Sequence, residues 1–424
     1  MKYSVVIPTY NHCEKYLKPC IDSIIKYTEM TDIELVISAN GCTDNTQAYL
    51  AYLQTAVPNL KVIWSDPPLG YSKACNVAIR QCTADKIVLL NNDTILLDQP
   101  TNQWLDILDN PFRVNPKCGI SCIIKTHSKP AGRDFAIFFC VMVERKVFDA
   151  IGLLNEEYGV GAGEDTEFCI EAENAGFEVC EVFEKYWGNN LFTGGFPIYH
   201  KGEGTVHDPL LVSDWDNIFY KNSLKLAKKY NPDYYRFMLC NNYERAVFLK
   251  GDPIFPRETT RYQWAAKNLI NGSIFELGCT TGYGSQFFPS TSDYLGLDYD
   301  PIIIDVAREQ QWGDSKRFVN ADINSFDLGS YDNIVAFEII EHLDNGLEIA
   351  NKLKDHCKNL LLTVPWNEPK GFWGEHHKLH GLNESHFPGF EFEYINQHGE
   401  IKPQPDPINE SNHCNLMLCK YSAQ

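Results

Sequence analysis

Acidic residues follow apolar segments in two distant parts of this chain. Asp93 comes three residues after the apolar run 87–90, and Asp298 comes directly after the apolar run 294–297. Carboxylates at the ends of strands can bind a divalent cation or accept hydrogen bonds from ribose hydroxyls. The sequence therefore predicts two separate ligand sites.

The elements that would position these acids alternate between apolar runs and amphipathic stretches. This alternation predicts an α/β fold with two mostly parallel sheets, which bind ligands at the carboxyl ends of their strands. The predicted strands are 4–8, 34–38, 61–64, 86–90, 273–277, 294–297, 317–319, 333–337, 359–364 and 415–421. The predicted helices are 14–27, 72–81, 215–230 and 259–269.

A length of 424 residues suits two or three domains. Asn231-Pro232 and Gly251-Asp252-Pro253 interrupt the pattern near the middle of the chain. We predict one domain over 1–235, a linker over 236–258 and a second domain over 259–424.

The net charge of −19 argues against nucleic acid or an anionic membrane as the main partner. The fifteen cysteines contain no Cys-x-x-Cys pair, which favours reduced thiols in a cytoplasmic protein. The longest apolar run, 136–143, is too short to span a bilayer, and the chain begins directly with a predicted strand. We therefore expect no transmembrane segment and no signal peptide, and the residues carry no signal for an oligomeric state.

The first half carries its motifs in an informative order. They lie at 4–11, 41–46, 70–76, 89–94, 138–157, 163–171 and His200. In this order they resemble the family 2 glycosyltransferases of the GT-A fold, over about residues 1–230. The resemblance implies an inverting, single-displacement transfer of a sugar from a nucleotide-diphosphate donor to a glycan acceptor.

The resemblance also implies roles for individual residues. Asn91-Asn92-Asp93 matches the family's Asp-x-Asp motif, with Asn91 at the first position, and Asp93 would hold Mn²⁺ or Mg²⁺ against the diphosphate. Glu164-Asp165 matches the acidic pair whose aspartate is the base, and His200 matches a histidine that can join the metal site. An N-terminal helix acid and an ordinary loop histidine are the structural alternatives for Asp165 and His200.

Contacts to the donor nucleotide are expected around the first turns. The turn that contains Pro8 and Tyr10 would meet the nucleotide, and Lys73 would contact phosphate or base unless it is simply an exposed helix lysine. The family usually has an aspartate where this chain has Ala39, so Asn40 or Asp66 would replace it. This departure leaves UDP, dTDP and GDP sugars open as donors.

The second half contains a glycine-rich turn after a predicted strand. The segment Gly278-Cys279-Thr280-Thr281-Gly282-Tyr283-Gly284 follows Glu276, and single acids, Asp298 and Asp322, follow the next two strands. Glycines let the backbone approach a ligand, and the acids suit ribose and adenine. The segment resembles the class I S-adenosylmethionine-dependent methyltransferases over roughly 256–424, with Thr280 in place of the middle glycine. The resemblance implies that Glu276, Gly278, Gly282, Asp298 and Asp322 contact the cofactor.

Glu338-Ile339-Ile340-Glu341-His342 follows the fourth strand of this half. On a helical turn the two carboxylates and the imidazole would share one face. The pattern is similar to metal-assisted O-methyltransferases of ubiquinone biosynthesis, in which Glu338, Glu341 and His342 would bind a divalent ion; a solvated helix face is the alternative. His377 or His380, in the cluster 376–380, could deprotonate a hydroxyl.

Together these observations predict a bifunctional enzyme, and the resemblance to both families implies a role in surface-polysaccharide or glycoprotein decoration. It would transfer a sugar and methylate a hydroxyl of the glycan or of a related acceptor. One alternative is an active glycosyltransferase with a non-catalytic S-adenosylmethionine-binding domain, and another is a methyltransferase with a degraded, carbohydrate-binding GT-A domain. A nitrogen or carbon methyl acceptor is a third.

Overall fold

The computed structural model describes residues 1–424 except 183–186, 189–190, 193–195, 203–211, 213, 241–244, 373–375, 408–414 and 424. The chain forms two compact units, residues 1–235 and 236–424. Both are mixed α/β, which confirms the predicted fold class.

The first unit contains thirteen described strands. They are β1 (Tyr3–Thr9), β2 (Ile33–Asn40), β3 (Leu60–Ser65), β4 (Lys86–Leu90), β5 (Thr94–Leu96), β6 (Cys118–Cys122), β7 (Lys125–Ser128), β8 (Arg133–Ala136), β9 (Cys140–Glu144), β10 (Glu178–Glu181), β11 (Trp187–Gly188), β12 (Leu191–Phe192) and β13 (Ile198–His200). Its helices are α1 (Lys18–Tyr27), α2 (Thr46–Ala56), α3 (Tyr71–Ile79), α4 (Gln103–Val114), α5 (Arg145–Ile151), α6 (Glu164–Asn174) and α7 (Trp215–Tyr230). A further helix, α8 (Pro232–Leu239), contains the boundary between the units.

Seven strands of the first unit form one sheet, in the order β10-β6-β9-β4-β1-β2-β3. β1 runs parallel to β2 and β4, whereas β9 is antiparallel to both of its neighbours. Val5 and Ile7 enter one hydrophobic cluster and Val6 enters another, because successive side chains of a strand point to opposite faces. Strand order reverses between β1 and β4, which is where open α/β sheets bind ligands.

A smaller sheet with the order β11-β12-β13-β5 accompanies this one. β13 pairs antiparallel with β5, so that His200 lies opposite Thr94. The sequence pattern does not predict these short strands.

The second unit has one eight-stranded sheet with the order β16-β15-β14-β17-β18-β21-β19-β20. Its strands are β14 (Ile274–Leu277), β15 (Tyr294–Asp298), β16 (Lys316–Asn320), β17 (Tyr331–Phe337), β18 (Cys357–Trp366), β19 (Glu391–Ile395), β20 (Ile401–Lys402) and β21 (Asn415–Ser422). Its α-helices are α9 (Pro256–Asn268), α10 (Pro301–Glu309) and α11 (Gly346–Asp355). Order reverses between β14 and β17, so the loops after these two strands meet at the switch point of the sheet.

The segment predicted as a linker, 236–258, contributes to the second unit. Phe248 is buried in a hydrophobic cluster of that unit, and its carbonyl accepts a 2.6 Å hydrogen bond from the Thr281 hydroxyl. Arg236 pairs with Asp252 at 2.7 Å within the same segment. These contacts form because the apolar side chain of Phe248 packs into the hydrophobic cluster and the charged side chains of Arg236 and Asp252 pair with each other.

None of the helices in the described part of the chain combines enough length with enough hydrophobicity to span a bilayer. Every described cysteine is a free thiol.

Candidate functional sites

The loop after β1 is joined to the loop after β2 by a side-chain hydrogen bond. Asn11 adopts the left-handed region at φ 47°, and its side-chain oxygen accepts a 2.7 Å hydrogen bond from the Thr43 N–H. Pro8 and Tyr10 are buried in the same stretch. At the sheet edge where we predict nucleotide binding, a hydrogen bond therefore holds the two loops together.

Asn40 has a different role from the predicted base contact. Its buried amide accepts a hydrogen bond from the Leu69 N–H and donates one to the Gly70 carbonyl at 3.5 Å. Because both ends of the amide are engaged, Asn40 holds the loop that leads into α3. Asp66 and Lys73 are exposed on either side of this loop, and their contacts to a donor stay predictions.

Asp93 and His200 lie side by side because β13 pairs with β5. The Nε2 atom of His200 is 3.3 Å from Oδ1 of Asp93, and both side chains are buried, at 7% and 6% exposed. The His200 ring stacks on Phe139 with centroids 4.3 Å apart, and neither ring nitrogen has a hydrogen-bond partner among the described residues. A carboxylate oxygen and an imidazole nitrogen at this separation are a suitable pair for a shared cation.

Tyr71 and Phe138 connect Asn91, which lies in the same motif as Asp93, to the acids of α6. The Tyr71 hydroxyl donates to the Phe138 carbonyl at 2.8 Å and lies 3.3 Å from the side-chain oxygen of half-buried Asn91. The Phe138 N–H in turn donates to Asp165. A short chain of polar contacts thus links the predicted metal motif with the predicted base.

Glu164 and Asp165 form the first turn of α6. Glu164 is buried, and one of its carboxylate oxygens has no hydrogen-bond partner within the described part of the chain. Asp165 is half-buried and accepts a 2.7 Å hydrogen bond from the Thr166 N–H. Burial raises the pKa of both carboxyls, and the neighbouring charge of Asp165 adds to the rise at Glu164. Such a pair is well suited to accept a proton near neutral pH.

The start of α6 is fixed by Gly163, which lies in the predicted motif 163–171, and by Asn222, which sequence reasoning missed. Gly163 has φ 130°, and a Cβ atom there would lie 2.5 Å from the Tyr158 ring. From α7, the Asn222 amide donates to the carbonyls of Tyr158 and Gly161 at 3.1 and 2.8 Å. The glycines before Glu164-Asp165 are a signal for this tight turn, but the contact with α7 has no local signal.

The glycine-rich loop of the second unit passes through three left-handed residues. Gly278, Thr280 and Gly282 have φ values of 73°, 47° and 76°. A Cβ atom at Gly282 would lie 2.5 Å from the Phe318 ring, so glycine is required there. Thr280 occupies a backbone region that a β-branched residue rarely adopts, and its N–H donates to Asp298 at 3.1 Å.

Asp298 and Asp322 differ in their surroundings. Asp298 is buried at the end of β15, where its other oxygen accepts a 3.1 Å hydrogen bond from the Asp300 N–H, and burial raises its pKa. Arg245, which the sequence reasoning missed, pairs with Asp300 at 2.8 Å. Asp322 is exposed and accepts a 2.9 Å bond from the Asn324 N–H, so it caps its own turn.

Glu276 is an internal hydrogen-bond acceptor rather than the cofactor contact that the sequence predicted. It is 1% exposed; one carboxylate oxygen accepts a 2.5 Å bond from the Tyr262 hydroxyl and the other accepts one from Tyr294. The carboxylate is engaged on both oxygens because aromatic side chains surround it. Burial raises its pKa to about 7.

The arrangement of Glu338, Glu341 and His342 on one helical turn is also corrected. The short helical turn covers only Ile340–His342, and Glu338 precedes it in the left-handed region at φ 50°. The Glu338 N–H donates to the Thr363 carbonyl at 3.0 Å, which continues the pairing between β17 and β18. Glu338, Glu341 and His342 therefore do not share one face of a helical turn, in contrast to the prediction.

The structure instead brings Glu341 and His342 together with His377. Their ligand atoms all lie within 4.8 Å of one another. The Nδ1 atom of His377 is 2.6 Å from Glu368, a buried acid that sequence reasoning missed, and Nδ1 of His380 is 4.0 Å from the same carboxylate. Burial lowers the pKa of His377 to about 4, and the neighbouring histidines add to this effect. His377, predicted as a base, is thus a neutral imidazole beside Glu341 and His342.

Two family models match the chain. The model described as Glycosyl transferase family 2 matches residues 4–114, and the model described as Methyltransferase domain matches residues 275–359. A glycosyltransferase of Haloferax volcanii, AglE, is 30% identical over 104 residues, which is 24% of this chain and 33% of AglE. The chain spans 24% to 33% of the length of the curated relatives it matches.

Solved structures of both kinds are similar to parts of the chain. S. aureus TarS 1–349 in complex with UDP aligns with a TM-score of 0.38 and 17% identity, over 69% of this chain and 82% of that one. Magnesium protoporphyrin IX methyltransferase (ChlM) from Synechocystis PCC 6803 with bound SAM aligns with a TM-score of 0.31 and 15% identity, over 45% of this chain and 94% of that one.

Proposed function

Because the chain joins a family 2 glycosyltransferase domain to a methyltransferase domain, we propose that it is a bifunctional transferase. The first unit transfers a sugar from a nucleotide-diphosphate donor to a glycan acceptor with inversion. The second unit methylates a hydroxyl of that glycan or of a related acceptor. The observation that carries this proposal is that each sheet has a buried acid at the carboxyl end of a strand, Asp93 after β4 in one unit and Asp298 at the end of β15 in the other.

In the sugar transfer, Asp165 takes the proton of the acceptor hydroxyl. The acceptor oxygen then forms a bond to the anomeric carbon from the side opposite the donor diphosphate. The bond between that carbon and the diphosphate oxygen breaks, and its electrons leave with the nucleoside diphosphate. Burial raises the pKa of Asp165 to about 6, so that the proton is accepted near neutral pH.

Asp93 and His200 would hold the divalent ion of the first unit. The 3.3 Å approach of His200 Nε2 to Asp93 Oδ1 supports this assignment. A bound Mn²⁺ or Mg²⁺ would supply positive charge to the departing diphosphate. Tyr71 orients the Phe138 carbonyl and Asn91 between the ion site and the base.

In the methyl transfer, the loop 278–284 and Asp298 would hold S-adenosylmethionine, which supplies the methyl group. Asp298 is fixed by two backbone N–H groups, so its carboxylate is already oriented toward the glycine-rich loop. Asp322 would contact the adenine from its exposed turn, and His380 is the remaining candidate for accepting the proton of the hydroxyl. We place both reactions in the cytoplasm, which the unpaired thiols support.

The test uses Asp165→Asn in the full chain, with exposed Asp149→Asn as the matched control. Release of nucleoside diphosphate from UDP, dTDP and GDP sugars is measured with a panel of glycan acceptors. We expect Asp165→Asn to lose activity by on the order of 10²–10⁴, while Mn²⁺-dependent nucleotide binding is retained and the control is unchanged.

Two outcomes favour the alternatives. Absence of nucleoside diphosphate release in the wild type, with every donor and acceptor in the panel, would assign the first unit to carbohydrate binding rather than to transfer. Binding of S-adenosylmethionine without formation of S-adenosylhomocysteine, with any acceptor in the panel, would make the second unit a non-catalytic cofactor-binding domain.

A further inference from the structure

We propose that Glu341, His342 and His377 bind one divalent metal ion in the second unit, that Glu368 orients His377 for this role, and that Glu338 is not a ligand. This ligand set differs from the three residues of the sequence motif. Its meaning for catalysis rests on the proposed methyl transfer, but the site itself is defined by metal binding alone.

Glu341 is the central observation. Its side chain is 0% exposed, and neither carboxylate oxygen has a hydrogen-bond partner among the described residues. Burying a polar group without a partner costs free energy, and buried carboxylates are normally paired or bound to a metal. A cation would satisfy both oxygens at once.

The backbone explains how a distant histidine reaches this carboxylate. The N–H groups of Lys378 and Leu379 both donate to the Glu341 carbonyl, at 2.7 and 3.0 Å. These bonds hold the segment after β18 against the short helical turn. His377 is therefore fixed beside Glu341 by main-chain contacts that do not depend on an ion.

Both imidazoles are oriented through Nδ1. His377 Nδ1 is 2.6 Å from the Glu368 carboxylate, and His342 Nδ1 is 3.2 Å from the His376 carbonyl. A hydrogen bond from Nδ1–H leaves the lone pair on Nε2, which is the common arrangement of metal-binding histidines. The two rings meet edge to face with centroids 4.6 Å apart.

Glu338 lies outside this group of ligand atoms. Burial raises the pKa of its carboxyl, and the positive charges of Arg261 and Arg257 only partly oppose this rise. Its left-handed backbone follows the pairing of β17 rather than the helical turn that carries Glu341. The group within 4.8 Å accordingly consists of Glu341, His342 and His377.

The donor set indicates the class of ion. Two imidazole nitrogens and one carboxylate suit Zn²⁺, Co²⁺ or Mn²⁺, whereas Mg²⁺ prefers oxygen ligands. We therefore expect the site to select a transition-metal ion over Mg²⁺.

The experiment titrates Co²⁺ into the chelator-stripped full chain and follows its visible absorption. Asp93→Asn is the parent protein, so that the first unit does not contribute. We expect the Co²⁺ band to be lost in Glu341→Gln and His377→Ala and kept in Glu338→Gln. Glu368→Gln should keep the band but weaken Co²⁺ binding by about 10- to 100-fold, and excess Mg²⁺ should not displace Co²⁺.

The controls separate ligand loss from misfolding and from failure of the methyl-transfer proposal. Each variant must keep the melting temperature of the parent, and His377→Gln replaces the alanine variant if that one does not. Binding of S-adenosylhomocysteine is measured in parallel, and its loss with intact Co²⁺ binding would affect only the proposed function. Loss of the band in Glu338→Gln with retention in His377→Ala, or absence of any Co²⁺ band in the parent, would overturn the proposed ligand set.

Discussion

Replacing Thr280 with glycine should stabilise the second unit. Thr280 has φ 47°, which is unfavourable for a residue with a branched side chain, and its buried hydroxyl has no hydrogen-bond partner among the described residues. Its N–H bond to Asp298 does not involve the side chain, so a glycine retains it.

The expected gain in the free energy of unfolding is the sum of three contributions. Release of the left-handed backbone strain is worth about 1–2 kcal/mol, and removal of the unpaired hydroxyl adds about 1 kcal/mol. The greater freedom of glycine in the unfolded chain subtracts about 0.5–1 kcal/mol. The net gain is about 1.5 kcal/mol, which corresponds to a rise in melting temperature of roughly 3–6 °C for a unit of this size.

Differential scanning calorimetry of the full chain measures this, with neighbouring Thr281→Gly as the control. Thr281 is fully buried, and its hydroxyl donates to the Phe248 carbonyl at 2.6 Å, so its loss should lower the melting temperature. Opposite shifts for two adjacent threonines would be hard to explain without the backbone conformation. A lower melting temperature for Thr280→Gly would refute the reasoning.

Three further results are expected. Because burial raises the pKa of Asp165 to about 6, the sugar-transfer rate should fall with acid at a pH above the ordinary carboxyl range in a pH–rate profile; a rate that stays constant down to about pH 4 would contradict the assignment of Asp165 as the base. Burial raises the pKa of Glu276 to about 7, so the second unit should lose stability as pH rises from about 4 towards 7, and calorimetry at pH 5 and pH 8 should show a smaller difference in Glu276→Gln. Gly163→Ala should lower both melting temperature and sugar transfer, because its Cβ atom would lie 2.5 Å from the Tyr158 ring; wild-type values for both would be evidence against the tight turn before α6.

Much of the fold follows from local pattern. Apolar runs such as 86–90 coincide with observed strands because both faces of a parallel sheet are covered by helices. The ligand-binding ends of the sheets can be predicted in the same way, because acids and glycines follow the apolar runs in the sequence. Short strands such as β13 carry too few residues for a pattern, so the meeting of His200 with Asp93 depends on a pairing that local sequence does not encode.

The site residues that changed role did so through contacts between distant parts of the chain. Asn40 and Glu276 follow or lie in strands, as ligand-binding residues do, but Leu69 and the tyrosines 262 and 294 occupy their polar atoms. His377 joins Glu341 through backbone hydrogen bonds of the intervening loop. A motif identifies residue types at a site, whereas hydrogen-bond partners decide which of them are available.

We propose that two ligand sites of different chemistry operate on this one chain. The most direct measurement is a thermal-shift panel on the purified full chain, with UDP, dTDP, GDP and CDP, each with and without Mn²⁺, and with S-adenosylhomocysteine alone. We predict that one nucleoside diphosphate raises the melting temperature only when Mn²⁺ is present, and that S-adenosylhomocysteine raises it without any nucleotide. Stabilisation by S-adenosylhomocysteine alone would contradict the transferase assignment of the first unit, and stabilisation by neither ligand would contradict the claim for both.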